Sequence, residues 1–106
     1  MIKFTDLLNE DKEASFEEFS AKRLKGATKI AHDAKEKGGA SMLTYHHFEV
    51  KLPYYKKAEE GKFDVTAATK EFDDCVKRLS DNMEQIKFQE LMGRIEVLGE
   101  LIIKHR

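Results

Sequence analysis

Tryptophan is absent from this 106-residue chain, proline and cysteine occur once each, and glycine only six times. These scarcities exclude a good deal. A turn-rich β protein needs glycine and proline at its many reversals, so their shortage points to helices. A lone cysteine, Cys75, cannot close an internal disulfide, and its thiol is expected to stay reduced in a cytosolic setting. The longest run of large aliphatic residues, Leu101-Ile102-Ile103, is far too short to span a membrane. Asp6, Glu10 and Asp11 interrupt the N-terminal region, so no secretory signal is expected there. An excess of one sign of charge is missing too. Lys and Arg number 19 against 20 Asp and Glu, a net charge of −1 that gives the whole molecule no field for attracting polyanions.

What the chain does have is 37% charged residues, well above the usual quarter, alongside 41% apolar residues. That mixture suits amphipathic helices, each burying one stripe and exposing a charged remainder. Seven Phe and three Tyr supply core volume. The length fits a single domain, residues 15–106, preceded by a short amphipathic helix and hinge over residues 1–14.

The helical punctuation is explicit. Ser15-Phe-Glu-Glu18 has the form of a capping box, and Phe16, Phe19, Leu24, Ala27, Ile30, Ala31 and Ala34 recur at helical spacing until Gly38-Gly39 stops them. A helix is predicted over residues 15–37. Met42, Tyr45, Phe48, Leu52 and Tyr55 continue on one face, but Pro53 breaks the hydrogen-bond ladder. Two short helices follow from this, one ending near Val50 and one from Pro53 to Glu60, closed by Gly61. Asp64 or Thr66 caps the last long region. There Phe72, Val76, Leu79, Met83 and Ile86 form a heptad seam, and Phe88, Leu91, Ile95, Leu98 and Ile102 resume it after a phase shift. Ser80-Asp-Asn82 is the expected break. The predicted fold is all-α, a compact bundle of four or five helices with a long C-terminal helical region.

Few side chains suggest chemistry. Adjacent His46 and His47 point about 100° apart on a helix and cannot chelate one ion together. With His32 and His105 they read as surface or boundary residues, and no metal or cofactor is expected. Cys75 reads as a small, partly buried side chain; Asp73 and Asp74 beside it would raise its pKa and oppose reactivity. Gly38-Gly39 lacks the context of a phosphate-binding loop. The expectation is a protein that is not an enzyme.

Candidates for binding are better marked. Lys51-Leu-Pro-Tyr-Tyr-Lys-Lys57 interleaves aromatic rings and cations, which can stack on bases and meet phosphates. The competing reading packs Leu52 and Tyr55 inward and leaves the lysines solvated, with Glu59 and Glu60 as their i+3 or i+4 partners; these acids and the absence of a global field weigh against nucleic acid, leaving a nucleic-acid accessory role as the alternative. Tyr54, Tyr55, Lys56 and Lys57 are the expected partner-binding residues, because exposed tyrosine is a common anchor. Leu91, Ile95, Leu98 and Ile102, widened by Val97, Leu101 and Ile103, are expected to mediate self-association, giving a homodimer; the competing reading packs them on the residue 16–30 helix.

At the N-terminus, Phe4, Asp6, Leu7, Leu8 and Glu10 follow the initiator Met in an order that resembles the capsid-targeting leader of internal head proteins of large contractile-tailed phages. The resemblance covers residues 1–10. It implies packaging on a scaffold core and cleavage after Glu10, because Leu8-Asn9-Glu10 has the form that the family's prohead protease cuts. The alternative is that Phe4, Leu7 and Leu8 dock a short helix on the bundle. The functional expectation is thus a small phage-type protein acting by protein–protein binding, head-associated or host-interacting, in the host cytoplasm or the virion. A protein partner is expected.

Overall fold

Ser15 begins the described part of the chain by accepting a hydrogen bond on Oγ from the Glu18 amide at 3.0 Å, one half of the capping box. The computed structural model describes residues 15–106, and the leader-like residues Phe4, Leu7, Leu8 and Glu10 lie outside that range. Helix α1 runs Phe16–Lys37 and ends where Gly38 adopts φ 63°, a conformation that only glycine enters readily. A single 3₁₀ turn, Gly39–Ser41, leads to α2, Met42–Glu49. Helix α3, Leu52–Glu59, follows after two residues that keep right-handed helical torsions. The ladder breaks between α2 and α3 because Pro53, in the first turn of α3, has no amide to donate. Gly61, at φ 75°, turns the chain away.

Asp64 then caps α4, Val65–Arg78, with its carboxylate accepting from the amides of Thr66 (3.0 Å) and Ala67 (3.2 Å). The expected break falls at residues 79–84, and α5 runs Gln85–His105. Among the described residues there are five α-helices and no strand.

The helices arrange differently from the simplest expectation. Helix α1 lies on α2 and α3, while α5 has its main neighbours in α2 and α4, so the C-terminal helix does not pack chiefly on α1. One contiguous core joins Ala27 of α1, Tyr55 and Ala58 of α3, Ala68 and Cys75 of α4, and Leu91, Val97, Leu98, Leu101 and Ile102 of α5. The seam Leu91, Leu98 and Ile102 is therefore consumed inside the fold, with Ile95 half-buried against it. As a self-association surface this seam is corrected to core. The same holds for Val97 and Leu101, which are fully covered, whereas Ile103 is 69% exposed.

The heptad reading of α4 also shifts. The helix buries Ala68 and Cys75 and half-buries Phe72, leaving Val76 and Leu79 exposed. Small residues let α4 approach α5 closely. The tightest crossing belongs to α2 and α5, where a β-carbon on Gly93 would collide with the His47 carbonyl oxygen and come within 2.7 Å of Val50 Cγ2.

Candidate functional site

The segment Lys51–Lys57 sits where the break between α2 and α3 meets α5, and most of it turns inward. Lys51 is 7% exposed; its Nζ donates to Glu96 Oε1 at 3.0 Å and lies 4.5 Å from the Phe48 ring centre. Tyr54 is half-buried and donates through its hydroxyl to Glu71 of α4, while Arg94 of α5 donates Nε to Tyr54 Oη at 3.1 Å and Nη2 to Glu71 at 2.8 Å. Tyr55 is buried and donates to Glu100 at 2.6 Å. Tyr54 and Tyr55 are thus corrected from exposed anchors to interhelical ties, and neither ring is presented for stacking on a base. Lys56 and Lys57 remain exposed.

These ties shift the titrations of the groups that make them. Burial pushes Tyr54 and Tyr55 upward, and the carboxylates they donate to push them further. Burial alone would raise Glu71 and Glu96, but hydrogen bonds outweigh it and hold both below the usual glutamate range. For Glu71 the donors are Tyr54 and Arg94; for Glu96 they are Lys51 and His47. The Glu71 bond raises the Arg94 pKa still higher.

The histidines are structural by their contacts. His47 places Nδ1 3.1 Å from Gln89 Oε1 and Nε2 3.1 Å from Glu96 Oε2, tying α2 to α5. The His105 ring packs on Phe16 and Phe63 with centroids 5.0 and 5.3 Å away. His46 rests on Tyr45, and His32 lies beside Asp33 and Glu36 on the α1 surface. Cys75 is 1% exposed, and burial pushes its thiol up. Among the described residues, no group of three or more His, Cys, Asp or Glu side chains is placed to hold a metal ion. Nor does any fully buried side-chain nitrogen or oxygen there lack a hydrogen-bond partner.

A different surface stands out: the outer side of the α4–α5 hairpin. On α4, Val65, Thr69, Phe72 and Val76 step by four and three residues, and Leu79 continues the step just past the helix end; on α5, Phe88, Met92, Gly99 and Ile103 share one side, beside the buried Ile102 and half-buried Ile95. At 100° per residue, Phe88, Met92, Gly99 and Ile103 fall within about 60° of one another. Four large apolar side chains along this side are open to solvent: Val76 (43%), Leu79 (38%), Phe88 (37%) and Ile103 (69%). The surface dips in two places. One hollow is lined by Thr69, Phe72, Asp73, Gly99, Ile103 and Arg106 among others, and the second by Leu79, Ser80, Asp81, Phe88 and Met92. Gly99 forms the floor of the first, since a β-carbon there would sit 3.3 Å from Phe72 Cε2.

Sequence reasoning saw the seam of α4 as a heptad but did not say which neighbour would cover it. The missed signal is the interleaving on each helix of two apolar sets: small or core residues on one side and Phe72, Val76, Phe88 and Ile103 on the other. Compared with protein-family models, curated proteins and solved structures, the chain matches none.

Proposed function

We propose that this protein is a non-enzymatic binding protein that works by protein–protein contact through the outer side of the α4–α5 hairpin. The observation that carries the reading is the open apolar strip Val76, Leu79, Phe88 and Ile103, which the chain's own core leaves uncovered. Soluble proteins keep contiguous apolar patches small, and larger ones mark contact sites. The ties of Lys51, Tyr54 and Tyr55 hold the hairpin on the remaining helices and so preorganise that strip. The leader-like residues 1–10 make a head-associated or host-interacting phage protein the specific version of the proposal.

Affinity capture with the full chain from its native cells, after nuclease treatment, tests the reading. A discrete protein partner is expected, with recovery falling at least tenfold for the Val76→Glu, Ile103→Glu double variant. Unchanged recovery by that variant would sink the proposal. The phage-type version is tested separately by mass spectrometry of the protein from mature virions, where an N-terminus at Asp11 is expected; an intact Met1–Glu10 peptide would remove it.

A further inference from the structure

Resting on that reading, we infer that the occupant of the α4–α5 face is a single amphipathic α-helix of a partner protein, with an apolar heptad stripe and basic flanks. The apolar geometry comes first. On the open side the α4 stripe steps by four and three residues, the repeat that helices use to receive a neighbouring helix, and Phe88, Met92, Gly99 and Ile103 lie on one side of α5. Helix α4, Val65–Arg78, carries this stripe over about 20 Å at 1.5 Å per residue, the length of about two heptads of a docked helix.

Charge selects the flanks. Asp73 lines the hollow near Gly99, and Asp81 lines the one near Phe88, against Arg106 as the one basic residue lining either. The remaining basic residues of the hairpin are aimed elsewhere. Arg78 and Lys87 line a hollow with Val50 and Arg94, and Lys70 and Lys77 lie about 100° or more around α4 from Phe72 and Val76. The charged residues that line the two hollows are thus two acidic and one basic. Lys or Arg beside the partner's apolar stripe complements that excess of acid.

The same observations argue against two other occupants. A second copy would set two strips with the same excess of acid, Asp73 and Asp81 against Arg106, over one another. The chain's own N-terminal segment carries Asp6, Glu10, Asp11 and Glu13 against Lys3 and Lys12, and its apolar residues 4, 7 and 8 span little more than one helical turn.

The test uses the full chain and two synthetic 18-residue helices with leucine at heptad positions, one flanked by lysine and its twin by glutamate. Binding is read by fluorescence anisotropy at about 0.1 M salt, where flanking charges within about 10 Å still interact. The lysine-flanked helix is expected to bind at least tenfold tighter than its twin. Val76→Glu, or Ile103→Glu as a second exposed variant, should weaken it tenfold, and D73K/D81K should reverse the preference between twins. Circular dichroism confirms that each variant folds.

Equal binding of the twins to the parent chain overturns the basic-flank proposal while leaving the contact face standing, provided Val76→Glu still weakens both. Indifference to Val76→Glu and Ile103→Glu overturns the face itself. Binding that appears only after removal of residues 1–14 assigns the face to that segment. A dimer that forms at the assay concentration and dissociates with Val76→Glu assigns it to a second copy. Either result rejects a partner helix.

Discussion

Glu71 draws its donors from α3 and α5, and Glu96 from α2 and from Lys51 in the α2–α3 break, so each carboxylate ties its own helix to two other stretches of backbone. Replacing Glu71 with alanine leaves the Tyr54 hydroxyl and the Arg94 guanidinium without their acceptor. Because both side chains are about a third exposed, solvent screens the loss, and about 1 kcal/mol of destabilisation is expected in urea unfolding. Both glutamates titrate below their ordinary value in the folded state. Their contribution is therefore complete above the unfolded-state pKa, about 4.3, and disappears as pH falls through the folded-state values. The tyrosines work in the opposite direction. Tyr54 and Tyr55 are raised in the folded state, so their contribution is complete below the ordinary value near 10 and is lost as pH climbs beyond it. Thermal midpoints measured against pH should form a plateau with an acid limb that Glu71→Gln and Glu96→Gln flatten. A limb unaltered by both substitutions would mean other groups set it. None of these partners is close in sequence. Tyr54 meets Glu71 17 residues on, and Lys51 meets Glu96 45 residues on, so a local reading of Lys51–Lys57 could turn Tyr55 inward by periodicity but could not know that Tyr54 and Lys51 were engaged by distant carboxylates.

At the scale of helices, the ends were legible and the faces less so. Ser15 and Asp64 announce their helices through side-chain oxygens, Gly38 and Gly61 close theirs through positive φ, and Pro53 marks its break by lacking an amide. Such signals are local and survive any tertiary arrangement. The buried face of α4 depends instead on which neighbour arrives. Phe72, Val76 and Leu79 form the stronger apolar stripe, yet α5 approaches over Ala68 and Cys75, where short side chains permit contact. Close approach elsewhere makes opposite predictions for two glycines of α5. Gly93→Ala must displace backbone of α2 and should destabilise by about 1–3 kcal/mol or more. Gly99→Ala meets only the Phe72 ring edge at 3.3 Å and gains about 1 kcal/mol of helix propensity, so a change of less than about 1 kcal/mol is expected. Chemical denaturation of the two variants side by side checks the contrast; equal losses would refute it.

Seen whole, the molecule is unevenly fastened. Helix α5 touches every other helix, whereas α4 has extensive backbone packing against α5 alone and is otherwise tied to α3 by the Tyr54–Glu71 bond. Regions with few buried neighbours open at lower free energy than the global transition. Amides of α4 should accordingly exchange with deuterium before those in the middle of α5, measured residue by residue by NMR. Uniform protection across both helices would contradict this. Cys75 adds a consequence of its own. Its sulfur is sealed between α4 and α5, so a thiol reagent can reach it only while that contact is parted. The rate at which Cys75 is labelled therefore times the excursions of a single helix, and a partner seated across the hairpin would slow that clock without touching the sulfur.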